Sequence, residues 1–269
     1  MIAVVDYQKG NLKSVERGLI AAGGEALITA DASEIAKADA IVLPGVGAFA
    51  DAAATMCELG QMEAIRDRVR AGVPFLGICL GEHLMFEHGV EGAPEGNPAC
   101  GLGLLPGTVV AMPRCDAQGK TFKVPHVGWN TIEMPACNGG AAVPPCGEGG
   151  GNAVLSSGGA GGGAARSSAA KRGLFEHGAF PGPAPQAGNN LAFACPLFDG
   201  IAPGEYFYFT HSYIAPTGSH TIAETTHSTR FTSAVQFGAC AFGVQFHPEK
   251  SSDAGARVLA NFVAIAARG

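Results

Sequence analysis

Four short strand-like runs, separated by stretches with helical spacing, constrain this chain more than any other feature of its sequence. Ile2–Val5 and residues 40–43 are continuously apolar, residues 73–78 nearly so, and residues 25–29 form a weaker run. Continuous apolar runs of this length suit strands buried on both faces. Between the first two, Asn11 is placed to cap a helix carrying Leu12, Val15, Leu19 and Ile20 on one side. Two more helical patterns cover residues 48–59 and 61–71, and Gly72 fits a stop. Repeated β-α-β units predict an α/β fold, a mostly parallel sheet with helices on both faces.

After about Leu102 the pattern changes. Short β-like runs at 107–112, 121–124, 126–133, 206–213, 220–226 and 234–236 are separated by turn residues. They predict antiparallel hairpins added to the same domain. Residues 241–246 form one more buried strand, and an amphipathic helix from about Ser251 turns Val258, Leu259, Phe262 and Ile265 inward. Residues 1–269 are read as a single domain, interrupted at about 138–190. Those 53 residues hold 15 glycines and few large apolar side chains, so they are expected to form a flexible, disordered insertion. A small apolar island, Leu174, Phe175, Glu176 and His177, is the one part expected to dock. A phosphate cradle would need a preceding strand and a following helix with Lys-Ser/Thr, and the glycine runs lack both.

The net charge of −6 gives no basic footprint for nucleic acid. No run approaches the roughly 18 apolar residues of a membrane span, and the N-terminus lacks a secretory signal. A cytoplasmic protein is expected. Eight cysteines are spread widely without a C-x-x-C pair, which argues against zinc-ribbon and thioredoxin readings. No His/Cys/carboxylate cluster has ligand spacing, so no metal and no organic cofactor is expected. His220 and His227 are read as surface residues rather than ligands.

One cysteine has a special setting. Gly77, Ile78, Cys79, Leu80 and Gly81 follow a buried strand and precede a run, residues 82–88, read as helical. A Gly-x-nucleophile-x-Gly turn between strand and helix is a nucleophile elbow. The glycines admit a tight turn, and the helix N-terminus directs backbone N–H groups at the sulfur. On its own the pattern fits a buried packing cysteine equally well. Gln245, Phe246, His247, Pro248 and Glu249 follow the last buried strand. A nucleophilic thiol needs a base, and the base an orienting group. His247 and Glu249 supply both, with His211 a rival base. Pro44-Gly45-Val46-Gly47 closes the third strand, where its amides could complete an oxyanion hole with Leu80 N–H. Alone it reads better as a plain Gly-rich turn.

The two motifs around Cys79 and His247 resemble the class I (triad) glutamine amidotransferases, a flavodoxin-like fold family. Three further stretches narrow the resemblance: Asp6, Tyr7, Gly10, Asn11, Leu12 and Ser14; Pro44 to Phe49; and Pro125, His126, Val127, Gly128, Trp129 and Asn130. With Phe209, Thr210, His211, Ser212 and Tyr213, these look like the glutaminase subunits of imidazole glycerol phosphate synthase. The resemblance covers nearly all of the chain outside 138–190. It implies that Cys79 attacks the amide of glutamine, His247 shuttles the proton and Glu249 orients it. It implies an oxyanion site at Val46 and Leu80, and glutamine contacts from Gly47, His83, His211, Ser212 and Tyr213. The ammonia would pass to a partner, the (βα)8 cyclase subunit, faced by Asn11, Trp129, Tyr208 and Lys250.

Two departures stand out. The family pattern places Gln where this chain has His83, and Glu82 introduces a charge beside it. An imidazole lacks the paired donor and acceptor of an amide, so the glutamine contact is weakened. The Gly-rich insertion is longer than the family connection, at little cost in stability, although it lies near interface segments. The alternatives are a glutaminase serving another synthase, a non-catalytic binding subunit with a damaged glutamine pocket, and a free-standing γ-glutamyl hydrolase.

Overall fold

The computed structural model describes residues 1–135 and 193–268. The insertion at 138–190, with its apolar island, lies outside the described residues. In chain order the first half runs β1 (Ile2–Val5), α1 (Leu12–Ala21), β2 (Ala26–Thr29), α2 (Ala32–Ile35), β3 (Ala40–Gly45), α3 (Phe49–Glu58), α4 (Gln61–Arg70), β4 (Phe75–Cys79) and α5 (Leu80–His83). There follow β5 (Phe86–Gly89), β6 (Ala99–Cys100), β7 (Leu105–Ala111) and β8 (His126–Thr131). After the undescribed segment come β9 (Tyr206–His211), β10 (Tyr213–Ile214), β11 (Thr221–Thr226), β12 (Arg230–Phe237), β13 (Ala241–Val244) and α6 (Ser252–Ala266).

Seven strands form the main sheet in the order β11-β12-β13-β4-β3-β1-β2. The five from β13 to β2 are parallel, and β12 and β11 add an antiparallel edge. Because side chains alternate along a strand, each buried run feeds two cores. Val4, Val42, Leu76, Ile78 and Phe242 face α1, α6 and a group of phenylalanines. Ala3, Val5, Ile41, Leu43 and Phe75 face α3 and α4. That two-sided demand is why these runs are continuously apolar. A four-stranded sheet, β10-β7-β5-β6, and a two-stranded ribbon of β8 and β9 complete the fold. Among the described residues no helix is long and apolar enough to cross a membrane.

The mostly parallel sheet, its helices and the added hairpins are as the sequence predicts; several details differ. Asn11 occupies the cap position of α1, but its side chain makes no cap hydrogen bond. Ile20 is 53% exposed rather than inward; Val15 and Leu19 alone complete the buried stripe of α1. The helix expected over 82–88 stops at His83, and Phe86–Gly89 is a strand. Phe86 and Gly89 pair with Leu105 and Val109 of β7, a long-range pairing that overrides local propensity. Residues 121–124 form no strand beyond one isolated bridge, Cys115 to Thr121. The run 206–213 breaks at Ser212, so β9 and β10 join different sheets. His220 is buried against the Phe86 ring, and His227 stacks on His126; neither is a free surface residue.

Candidate active site

Parallel neighbours β3, β4 and β13 end at the same edge of the sheet, where crevices form in open α/β folds. β4 delivers Cys79 there, opposite Gly45 of β3. Cys79 has φ +55°, a left-handed conformation rare for a residue with a side chain. The turn is held by close backbone approach. A Cβ on Gly81 would lie 1.8 Å from the Leu43 carbonyl oxygen, and one on Gly77 2.5 Å from that of Gly81. Both positions must be glycine for α5 to start where it does.

A cavity of about 400 Å³ opens beside the sulfur. Val46, Gly47, Cys79 and Leu80 line one part of it. His83, His211, Ser212 and Tyr213 line another, so the nucleophile, oxyanion and glutamine-contact candidates share one cavity. Glu91 lines it too, a residue that no motif singled out. Burial raises the Glu91 pKa, against the Phe49 N–H that lowers it, with Asp51 adding to the rise. Glu91 is thus a half-buried carboxyl held at the N-terminus of α3.

β13 runs on into His247, whose Nδ1 is 2.9 Å from the Glu249 carboxylate. Both side chains are almost fully buried, at 3% and 1% exposed. Burial opposes protonation of His247, but the Cys79 sulfur and the Glu249 carboxylate outweigh it and raise its pKa to about 9. With Nδ1–H committed to Glu249, Nε2 is the free acceptor of the neutral ring. It is buried without a hydrogen-bond partner among the described residues. An imidazole with an oriented, unoccupied nitrogen near a thiol can take the thiol proton.

His211, the rival base, is differently placed. Its Nδ1 donates to the Tyr213 carbonyl at 2.8 Å, and its Nε2 is 3.0 Å from His126 Nδ1. Asn130 donates to the other nitrogen of His126. That chain leaves His211 no free nitrogen. Burial lowers its pKa well below the ordinary value, the Tyr213 carbonyl only partly opposing it. His211 is therefore a neutral wall of the pocket.

Val46 carries the expected oxyanion amide, but its N–H faces the Tyr7 hydroxyl. No good hydrogen bond forms there, since Tyr7 Oη is buried without a partner. Burial raises the Tyr7 pKa, and Cys79 adds to the rise. Trp129, Tyr208 and Lys250 cluster outside the pocket. Trp129 is 44% exposed and meets the Tyr208 ring edge-on, while Lys250 Nζ lies 5.9 Å over that ring. Asn11 lies at the head of α1, a helix that contacts the Pro248–Lys250 turn. Among the described residues no group of His, Cys, Asp and Glu could hold a metal ion.

Comparison with known proteins adds to this geometry. The sequence matches the family "Glutamine amidotransferase class-I" over residues 3–141 and 153–266. It is 36% identical to "Imidazole glycerol phosphate synthase subunit HisH" of Moorella thermoacetica, covering 97% of this chain and 93% of that protein. It is 35% identical to the protein of the same name from Rhodopirellula baltica, covering 97% and 96%. Among solved structures it resembles one described as "Crystal structure of glutamine amidotransferase". There the TM-score is 0.58 and the identity 16%, over 99% of this chain and 98% of the other.

Proposed function

This chain belongs to the class I glutamine amidotransferases, among the HisH subunits of imidazole glycerol phosphate synthase, and from that premise we propose how its residues work. It is a glutaminase subunit, and glutamine is its substrate. Glutamine enters the cavity with its side-chain amide over Cys79. Glu91 holds the α-ammonium group, because a carboxylate is the group a pocket needs there. The Ser212–Tyr213 backbone and Gly47 accommodate the remaining main chain.

The Cys79 proton resides on His247 Nε2, as the raised His247 pKa favours, and the anionic sulfur attacks the amide carbon. The developing oxyanion is met by Leu80 N–H at the start of α5. Val46 N–H, which now faces the Tyr7 hydroxyl without a good hydrogen bond, is the second donor once it turns to the cavity. His247 then protonates the leaving nitrogen, and ammonia departs from a thioester. Water, deprotonated by His247, attacks the thioester and releases glutamate. Glu249 keeps His247 in the correct tautomer and stabilises the imidazolium. The net change is glutamine plus water to glutamate plus ammonia.

The observation that carries this reading is the buried His247–Glu249 pair beside the strained Cys79 turn. The ammonia passes to a (βα)8 cyclase subunit in a heterodimer, docked on the Trp129, Tyr208 and Lys250 face with Asn11. There it supports a lyase step of histidine biosynthesis in the cytoplasm. The test is glutamate release by the purified chain, alone and with a cyclase subunit and its nucleotide ligand. Stimulation that disappears in Cys79→Ala is expected. No turnover in a formed complex would overturn the reading in favour of a binding subunit, and full turnover without partner would favour a free-standing hydrolase.

A further inference from the structure

Gln245 follows β13 directly, one residue before the Phe246–His247 step, and it is fully buried. Its side-chain Nε2 is 3.8 Å from Cys79 Sγ. Its side-chain Oε1 is 2.7 Å from His83 Nε2. A glutamine amide has one accepting and one donating end, and here each end meets a group of the opposite kind. We propose that Gln245 is a positioning residue for the nucleophile: its N–H groups donate to the Cys79 sulfur, and His83 fixes the amide by donating to its oxygen. The inference rests on the reading of Cys79 as the nucleophile.

The proposal assigns the tautomer of His83 as well as the orientation of the amide. Burial lowers the His83 pKa to about 4, with the Gln245 bond only partly opposing it, so the ring is neutral. A neutral imidazole has one donor, and donating from Nε2 leaves Nδ1 as the acceptor. The amide is then committed to present N–H rather than C=O to the sulfur. A donor there favours the anionic sulfur that attacks glutamine. The Thr210 carbonyl, 3.9 Å from the same sulfur, can accept only from the protonated form. His83 thus has a task besides lining the pocket, and it can perform that task with one N–H.

The other groups facing the sulfur come from separate elements: His247, backed by Glu249; Glu82 of α5; and Tyr7 after β1. All of these stay unchanged in the variants below. The probe is iodoacetamide, small and uncharged, with Cys79 modification read by peptide mass spectrometry from pH 5 to 9 on the full chain. Exposed Cys57 and Cys100 serve as internal standards. Gln245→Met is expected to slow Cys79 alkylation at pH 7 about tenfold, the lower range for a hydrogen bond to a charged group. The midpoint of its pH–rate curve should move up. Gln245→Glu, which turns an oxygen to the sulfur, should slow it further. His83→Leu should move the curve the same way, and His83→Gln, which restores an N–H, should return it towards the parent.

Folding of each variant is checked by near-ultraviolet circular dichroism. If Gln245→Met unfolds, Gln245→Glu and the His83 pair still decide. A His83→Leu change that raises KM for glutamine while leaving the alkylation curve in place makes His83 a substrate contact only and overturns the relay. Parent-like curves for both Gln245 variants overturn it too. If parental Cys79 reacts no faster than Cys57 and Cys100, the nucleophile reading fails, and the inference falls with it.

Discussion

Replacing Glu82 by methionine should make the protein more stable. Glu82 is the third residue of α5, is fully buried, and has no hydrogen-bond partner for either carboxyl oxygen among the described residues. Its Cγ packs where a Cβ on Gly243 would lie, next to Met85. Burial raises its pKa well above the ordinary glutamate value, and Cys79 adds to the rise. The folded chain therefore keeps a proton that the unfolded chain releases. The resulting cost is absent below the unfolded glutamate pKa and grows as pH climbs towards the folded one. Methionine has similar length and adds no unpaired oxygen. The expected gain is about 1–3 kcal/mol, the usual cost of leaving a buried polar group unsatisfied. Equilibrium urea unfolding at pH 5, 6.5 and 8 measures it, with the slope compared between variants. The gain should be smallest at pH 5 and largest at pH 8. A destabilised Glu82→Met, or a gain that does not change with pH, would refute the reasoning, because the carboxyl would then be satisfied in solution.

Other expectations follow from the same site. Glu249→Gln removes one of the charges that raise the His247 pKa and should cut kcat for glutamine hydrolysis by about 10²–10⁴-fold; an unchanged kcat in a glutamate-release assay would remove Glu249 from the mechanism. The His247 pKa lies above its ordinary 6.5, at about 9, so its stabilising contribution is complete below pH 6.5 and is lost as pH rises through 9. Urea midpoints of the parent should fall over that window, and those of His247→Asn should change less. Glu91→Gln should raise KM for glutamine by roughly 10-fold or more with little change in kcat, as expected for losing a charge-assisted bond; initial-rate kinetics check this. Trp129→Ala should weaken cyclase binding by about 2 kcal/mol or more if Trp129 anchors the interface, which titration calorimetry reads directly.

The α/β character was legible because both faces of the parallel strands are buried, and that demand writes itself as continuous apolar runs. The elbow was legible for a similar reason: Gly77 and Gly81 are forced by backbone approach, and such glycines keep fixed spacing from the residue between them. What escaped the sequence depends on contacts distant along the chain. Phe86–Gly89 has helix-compatible residues, and only pairing with Leu105–Ala111 makes it a strand. Glu91 lies in the turn after β5, and nothing local marks it as a pocket residue. His211 stayed a rival to His247 as the base, since its disqualification comes from His126, 85 residues away. Gln245 was noted only as a neighbour of His247, yet its side chain reaches back across the sheet to residues 79 and 83.

β9 has one more consequence. Its Tyr208 carbonyl accepts from His247 N–H at 2.9 Å, and its Thr210 carbonyl receives Cys79 Sγ. Two residues of one strand, roughly 7 Å apart along it, thus act as anchor points for the base and the nucleophile. The strand is paired in full register with β8, Trp129 opposite Tyr208. Sliding this ribbon along its axis carries both anchors equally, a common-mode displacement that leaves their separation unchanged. Twisting it moves one anchor against the other. A binder on the Trp129 face would therefore reach the sulfur–imidazole spacing by turning the ribbon rather than by pushing it along its axis.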